Sequence, residues 1–463
     1  MKKVKAEVVI IGSGTAGMNA YRMARRKTKQ VLMIEGAHFG TTCTRVGCMP
    51  SKLLIAAAHA AHTVSSSAPF GVYAKEVSVN GKEVMDRVKT ERDRFVNFVL
   101  DDVNDFIVEG GTVRGWARFI DPYTIRVDDS IEIESKAFVI ATGSRPNFLP
   151  EWKDLGDLVQ TSDDIFYWDD LPNSVGVLGS GVIGMELGQS LSRLQVDISI
   201  YNKGYSLMGV RDPKVLQEAW HVFKEELDIH EDTQTELVRS DSGKIKVRYT
   251  QSGQAGTQEK EFDVILAAVG RKPNIERLEL NNTGMELDHS GIPTYNPSTQ
   301  QTSVPHIFIA GDARGGLLEL HIASGEGRTA GTNAASYPEV KPGLRRSRLS
   351  IAFTSPQIMM AGSSFSTLDE DSIVIGEVSF RNQGRSRVMR ENKGLLRVYC
   401  DRKTRLFVGA EGIGPDLEHL GHLLAWAHQS RLTVDEMLER VYYHPVVEEG
   451  LRTALLQAQE QLS

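Results

Sequence analysis

Cys43 and Cys48 are the residues best equipped to do chemistry in this chain. They are two of only three cysteines in 463 residues. They stand in the segment Gly40-Thr41-Thr42-Cys43-Thr44-Arg45-Val46-Gly47-Cys48-Met49-Pro50-Ser51-Lys52. A pair of thiols can pass between dithiol and disulfide, carrying two electrons. On a regular helix, residues five apart lie roughly 140° around the axis and about 7.5 Å along it, too far for an unstrained bond. The local backbone must therefore be irregular if the two sulfurs are to meet. Gly47 offers conformational freedom, and Pro50 suits the first turn of an apolar helix expected over Leu53–Ala61. Both cysteines would then stand at or before a helix N-terminus, whose dipole favours thiolate over thiol. For the spacing alone, two unconnected buried thiols are the plainer alternative. A zinc cage lacks its second cysteine pair. Cys400, in the strand-like run 395–400, reads as a small core residue.

The elements around the thiols set their context. Val8–Ile11 reads as a buried strand, followed by Gly12-Ser13-Gly14-Thr15-Ala16-Gly17, a helix to about Lys29, and a strand Val31–Ile34 ending in Glu35. This is a dinucleotide-binding fingerprint in its proper setting. Gly12 allows the tight turn, Gly14 the approach of a pyrophosphate, and Gly17 close packing of helix on strand. The helix N-terminus offers free amides to phosphates, and Glu35 would accept hydrogen bonds from a ribose hydroxyl pair. The arrangement is written twice. Gly179, Gly181, Gly184 and Asn202 each stand 167 residues after Gly12, Gly14, Gly17 and Glu35. Strands at Val175–Leu178 and Val196–Tyr201 flank the second helix. Coincidental glycine turns would not repeat a whole strand–turn–helix–strand unit in register, so two nucleotide sites are expected. In the second, Asn202-Lys203 replaces the carboxylate that favours NAD, and Lys203 could attract the extra phosphate of NADP. The choice of nicotinamide nucleotide stays open.

Two apolar strands ending in breakers resemble crossovers between domains. They are Val139–Ala141 with Thr142-Gly143-Ser144-Arg145-Pro146, and Val264–Val269 with Gly270-Arg271-Lys272-Pro273-Asn274. Ile307-Phe308-Ile309-Ala310-Gly311-Asp312 then reads as a strand returning to the first nucleotide domain, with Asp312 facing its cofactor.

Composition is compatible with this. The length calls for two to four domains, and 41% hydrophobic with 24% charged residues describes a globular chain. A net charge of −7 gives no reason to expect nucleic acid or an anionic membrane as partner. The basic run Arg345-Arg346-Ser347-Arg348 reads as a solvated linker. Three cysteines cannot staple so long a chain, so a reducing, cytoplasmic compartment is expected. The basic start Met1–Lys5 imitates a signal peptide, but the apolar run behind it is too short. No run approaches the roughly 20 apolar residues of a membrane span.

Taken together and in order, these motifs resemble the class I pyridine nucleotide–disulfide oxidoreductases. The resemblance covers nearly the whole chain. It takes in both fingerprints, Cys-x4-Cys-x-Pro-Ser-Lys, Ala141-Thr142-Gly143, Gly311-Asp312, His321 with Glu326-Gly327, and His444-Pro445 with Glu449. Ser51-Lys52 and the lack of further C-terminal cysteines make the chain most similar to the dihydrolipoamide dehydrogenase branch rather than to glutathione or mercuric reductases. The resemblance implies an α/β fold of two Rossmann-like dinucleotide-binding domains plus a C-terminal α+β dimerisation domain. The FAD-binding domain would take residues 1–148 and 275–344, the NAD(P)-binding domain 149–274, and the interface domain 345–463. It implies FAD in the first site, at Gly12, Gly14, Gly17, Glu35, Thr42, Lys52, Thr142, Gly143, Gly311 and Asp312. It implies NAD(H) or NADP(H) in the second, at Gly179, Gly181, Gly184, Asn202, Lys203 and Gly270. Cys48 would lie against the flavin and Cys43 would exchange with substrate. Lys52 would pair with Glu186 beside the ring. His444, oriented by Glu449, would act on the disulfide of the other subunit of a homodimer, a histidine being the natural base near neutral pH.

The expected reaction is oxidation of dihydrolipoamide, free or protein-bound, with reduction of NAD+. The enzyme could then serve a 2-oxoacid dehydrogenase complex. One alternative keeps the family but runs from NAD(P)H to another disulfide, a quinone or a metal ion. Another is a non-catalytic flavoprotein redox sensor. Several positions depart from the family pattern: Thr41 for glycine, Arg45 for asparagine, Tyr442 for histidine, Gln357 for glutamate, and Glu319-Leu320 before His321. Arg45 and Glu319 place charge near the flavin or the substrate channel and leave the substrate open.

Overall fold

A computed structural model describes every residue except Glu109 and Ser463. The chain divides into two compact units. The first comprises 1–53, 87–147 and 270–345, the second 54–86, 148–269 and 346–463.

The first unit is built on a seven-stranded sheet. Strand Lys2–Ile11 pairs in parallel with Val31–Glu35 on one side and Ile131–Ile140 on the other. Its second half, Val8–Ile11, is buried on both faces, as a continuous apolar run in a parallel sheet must be. Ile307–Ile309 returns beside Phe138–Ile140, where the sequence places it. Thr124–Val127 and Ala117–Asp121 extend the sheet as antiparallel strands. Helix Thr15–Arg25 lies against helix Leu320–Ser336 at backbone contact. A Cβ on Gly327 would come within 2.2 Å of Ala16 O, and one on Gly331 within 2.2 Å of Ala20 O. The two crossovers meet as a small antiparallel pair, Ser144–Pro146 with Arg271–Pro273.

The second unit holds a parallel sheet and two antiparallel ones. Asp197–Tyr201, Ser174–Leu178, Val264–Ala267 and Val159–Thr161 run parallel in that order, with Ile229–His230 at the edge. Thr233–Arg239, Ile245–Gln251 and Gln258–Phe262 form a three-stranded meander. The C-terminal sheet is five-stranded, ordered Leu349–Ala352, Gln357–Gly362, Phe407–Gly414, Leu395–Asp401, Ile373–Ser379. Helices Leu417–Gln429 and Glu449–Glu460 cover it, burying Leu420, Leu424, Leu451 and Leu455 against Leu396, Val398 and Phe407. Cys400 belongs to this core, and burial pushes its thiol up to about 12. Among the described residues no helix is long and apolar enough to cross a membrane.

Candidate active site

The thiol segment is irregular, as its spacing requires. Thr42–Arg45 forms a single helical turn, the chain breaks at Val46 with φ −140°, and a long helix runs from Cys48 to Ser65. That helix begins five residues before the sequence expectation, because Pro50 sits within its first turn, where a missing N–H costs nothing. Gly47 serves by having no side chain rather than by unusual torsions. A Cβ there would stand 2.9 Å from Thr42 O and 3.1 Å from Cys43 Cα, so only glycine lets the turn close onto the helix start. Thr41, a departure from the family pattern, caps the turn by accepting from Thr44 N at 3.2 Å. Arg45 donates from Nε to Phe39 O at 2.8 Å, bracing the Gly40 bend with its φ of +93°. Its guanidinium thus has a structural use that the sequence does not reveal.

Cys48 is exposed and Cys43 half-buried. The expectation that the dipole makes both of them acidic is corrected for Cys43. A hydrogen bond to Cys48, followed by burial, raises the Cys43 thiol far above its ordinary range, outweighing the opposing pull of Lys52. In the dithiol form Cys43 is therefore the partner that keeps its proton, because two adjacent thiols do not both ionise.

The two glycine loops share one geometry. Gly12 has φ +110° and its Cβ would meet Ala141 O at 2.3 Å; Gly179 has φ +106° and its Cβ would meet Ala268 O at 2.5 Å. Cβ atoms on Gly17 and Gly184 would strike the carbonyls of Gly12 and Gly179 at 1.9 and 2.0 Å. Gly14 and Gly181 face open space, with no atom within 4 Å of a Cβ. That is the free backbone surface a pyrophosphate needs at a helix N-terminus.

The ends of the second strands differ. Glu35 Oε2 accepts from Ser13 N at 2.8 Å and Ser13 Oγ at 2.7 Å, and Oε1 accepts from Ala37 N at 2.8 Å. Each oxygen retains acceptor capacity for a ribose hydroxyl. In the second site Asn202 Oδ1 accepts from Ser180 N at 3.4 Å, while Nδ2 donates to Gly204 O at 2.8 Å and Ser206 O at 3.0 Å. Both amide hydrogens of Asn202 are thus used within its own loop. Lys203 is exposed.

The remaining residues expected at the first site lie as follows. Thr142 Oγ1 is buried with no hydrogen-bond partner among the described residues, and Gly143 takes φ +68°. Asp312 Oδ2 accepts from Ser144 Oγ at 2.8 Å, and Ser144 Oγ in turn accepts from Arg271 Nε at 2.9 Å. Glu326 accepts from Gly311 N at 2.9 Å and from Arg314 Nε at 2.6 Å. Burial raises its carboxyl above the usual range despite that arginine. Gly270, at φ +96°, begins the Arg271 strand. Ser13, Ser144 and Arg271 were not legible as site residues in the sequence; the only signal was their place inside or beside the glycine motifs. The open loops, the orphaned Thr142 hydroxyl and the tethered Asp312 fit a dinucleotide such as FAD.

In the second unit, Glu186 is buried on helix Val182–Arg193 and accepts from Phe353 N at 2.7 Å. His444 Nδ1 lies 2.9 Å from Glu449 Oε1, and Glu449 Oε2 accepts from Val446 N at 3.2 Å. The histidine side chain is 81% exposed, so its other nitrogen is open to a second molecule. The His444 hydrogen bond lowers the Glu449 carboxyl below the ordinary glutamate range. The remaining departures have local roles. Gln357 Oε1 accepts from Glu418 N at 2.8 Å, Tyr442 donates to Met437 O at 3.3 Å, and Glu319 lies 3.4 Å from His321.

Comparison with known proteins agrees with this geometry. The sequence profile described as Pyridine nucleotide-disulphide oxidoreductase matches residues 6–327, and that family's dimerisation domain matches 349–455. A dihydrolipoyl dehydrogenase of Bacillus subtilis (strain 168) is 29% identical over 97% of this chain and 98% of its own length. One from Haloferax volcanii is 28% identical over 97% and 95%. Among solved structures, the Cu(II) complex of the HOCl-induced flavoprotein disulfide reductase RclA from Escherichia coli superposes with a TM-score of 0.80. It covers 98% of this chain and 99% of that one at 21% identity, which establishes a shared fold.

Proposed function

Because the chain belongs to the pyridine nucleotide-disulphide oxidoreductase family, a flavin disulfide oxidoreductase with FAD and NAD(P)H as cofactors, we propose that it oxidises dihydrolipoamide and reduces NAD+. The observation that carries this reading is the His444–Glu449 hydrogen bond of 2.9 Å. With Nδ1–H held by the carboxylate, Nε2 is the basic nitrogen, as a general base for a thiol requires. In the oxidised enzyme Cys43 and Cys48 share a disulfide. His444 takes a proton from the first substrate thiol, whose sulfur attacks Cys43. The Cys43–Cys48 bond breaks, a mixed disulfide forms, and Cys48 leaves as thiolate. The second substrate thiol then attacks the mixed disulfide, closing the substrate's own disulfide and releasing Cys43 as a thiol. Two electrons now reside on the Cys43–Cys48 pair. Bound FAD supplies the path by which they pass as hydride to the nicotinamide. The raised Cys43 thiol supports this division of labour, because it leaves Cys48 as the member of the pair that can carry charge.

Several finer points belong to the same proposal. Lys52 pairs with Glu186 beside the flavin. Gly12, Gly14, Gly17, Glu35, Thr42, Thr142, Gly143, Gly311 and Asp312 hold FAD; Gly179, Gly181, Gly184, Asn202, Lys203 and Gly270 serve the nicotinamide nucleotide. The dimerisation-domain match supports a homodimer, and in it each exposed His444 serves the partner's disulfide. The domains divide at 148, 274 and 344. The protein works in the cytoplasm, on lipoyl groups of a 2-oxoacid dehydrogenase complex.

Steady-state rates with dihydrolipoamide, lipoamide, glutathione disulfide, mercuric ion and quinones, each with NAD(H) and NADP(H), test the proposal. Dihydrolipoamide with NAD+ should give the highest kcat/KM, and Cys43→Ser should abolish it. Turnover that survives Cys43→Ser, or a preference for another acceptor, would refute it.

A further inference from the structure

Glu411 and Asp212 are among the most deeply buried charges in the second unit, and neither has a place in the chemistry above. Both are fully buried, at 0% exposure. Glu411 lies on strand Phe407–Gly414 of the C-terminal sheet. Its Oε2 accepts from Arg211 N at 2.7 Å and Asp212 N at 2.9 Å, while Oε1 accepts from Phe365 N at 3.1 Å and Ser364 Oγ at 3.4 Å. Asp212 caps helix Pro213–Lys224, accepting from Lys214 N at 2.9 Å and Val215 N at 3.2 Å. It is also gripped from the same sheet by Arg397 Nη1 at 2.6 Å and Tyr399 OH at 2.9 Å. Buried carboxylates are costly unless every lone pair finds a donor, and here the donors come from two different parts of the fold.

The segment these carboxylates hold is the loop of the second nucleotide site. It starts at Asn202, the position that meets the adenosine ribose in such folds, and ends at Arg211. It folds back over the glycine loop: Met208 N donates to Ser180 O at 2.9 Å, and Ser180 Oγ donates to Ser206 O at 2.7 Å. Met208 and Gly209 are both left-handed, with φ of +46° and +85°. A methionine does not choose that conformation unaided. One end of the loop is fastened by Asn202 and Ser180, the other by Glu411.

We propose that Glu411 is a positioning residue for the nicotinamide nucleotide, by which the C-terminal sheet fixes the loop that receives the adenosine end. The proposal rests on reading the second glycine loop as the nicotinamide site. It adds a residue from the interface domain, more than 200 positions from Asn202 in sequence, to the determinants of nucleotide binding. Its role is to hold the loop, not to touch the nucleotide.

The isosteric change Glu411→Gln tests it. One end of the amide becomes a donor and must face either the Arg211 and Asp212 amides or the Phe365 amide beside the Ser364 hydroxyl, so at least one backbone N–H loses its acceptor. NADH and NADPH binding to the FAD-loaded enzyme is measured by anaerobic stopped-flow, from the concentration dependence of flavin bleaching. The Kd should rise about tenfold or more, with FAD content, dimer mass and flavin reduction by dihydrolipoamide unchanged. If Glu411→Gln does not fold, Tyr399→Phe removes one donor from the same clasp and should raise the Kd in the same direction. A folded Glu411→Gln enzyme whose Kd stays within twofold of wild type overturns the proposal. So does a loss of dihydrolipoamide-driven flavin reduction equal to the loss for NADH, since the damage would then be general. A wild-type enzyme bleached by neither nucleotide refutes the reading of the second site itself, and this proposal with it.

Discussion

The two open glycines give the sharpest test of the nucleotide sites. Gly14 has φ −70° and ψ −175°, and Gly181 has φ −68° and ψ 175°, torsions that any L-residue adopts. No atom lies within 4 Å of a Cβ at either position. Alanine therefore fits both sites in the free protein, and by restricting the unfolded chain it should stabilise the fold by about 0.4–1 kcal/mol. The added methyl nevertheless occupies the space through which a pyrophosphate approaches. A backbone amide bonds a phosphate oxygen at about 2.9 Å, whereas a methyl carbon needs about 3.5–4 Å. The phosphate is pushed outward, and losing one charge-assisted hydrogen bond costs about 1.5–3 kcal/mol. That is roughly 10- to 150-fold in Kd. Gly14→Ala should lose FAD, read from the flavin absorbance per polypeptide, while keeping its melting temperature. Gly181→Ala should keep FAD but require at least about tenfold more NADH for half-maximal bleaching. Gly17→Ala and Gly184→Ala, whose Cβ atoms would collide with carbonyls at 1.9 and 2.0 Å, should instead damage folding. A Gly181→Ala enzyme that binds NADH within twofold of wild type, or a Gly14→Ala enzyme that retains FAD, would refute the assignment of the loops.

Three other outcomes follow from the site. In the reduced protein stripped of FAD, where no flavin shields Cys48, iodoacetamide should modify Cys48 before Cys43 near neutral pH, because Cys43 is held protonated by Cys48 and by burial; peptide mass mapping reads the order, and prior labelling of Cys43 would contradict it. His444→Ala should slow dithiol oxidation by roughly 10²–10⁴-fold and Glu449→Gln by less, with flavin reduction by NADH unchanged; equal loss in both half-reactions would remove His444 from the thiol chemistry. Glu276 is held down to about 2 from 4.5, first by Arg145 and also by Lys272. Its folded value is depressed, so its contribution is present above the ordinary carboxylate range and lost as pH falls from about 4.5 through about 2. Thermal melts from pH 7 to pH 2 should show a shallower acid decline in Glu276→Gln, a small difference that salt reduces, since the pair is largely exposed.

The sequence by itself determined the repeated nucleotide-binding units, because the strand–turn–helix pattern and its glycines are local demands. A tight turn, a helix start and a close backbone approach each need a particular residue at a particular spacing, wherever the rest of the chain lies. It also singled out Cys43 and Cys48, since thiols in a pair are legible by type, whereas His444 and Glu449 stood out only through the resemblance to a known family. Tertiary structure decided what those residues experience. That Gly47 is needed for lack of bulk rather than for its torsions depends on how the turn at Thr42 stacks on the cysteine helix. That Cys43 is the reluctant acid depends on its burial and on a hydrogen bond across five residues. Arg271 reaches Ser144, the donor to Asp312, only because two crossovers pair as strands, and Glu411 reaches the Asn202 loop only because a distant sheet packs there. Hydrogen bonds and desolvation act through space at about 3 Å, and no period or spacing in a chain records which remote residue will arrive at that distance.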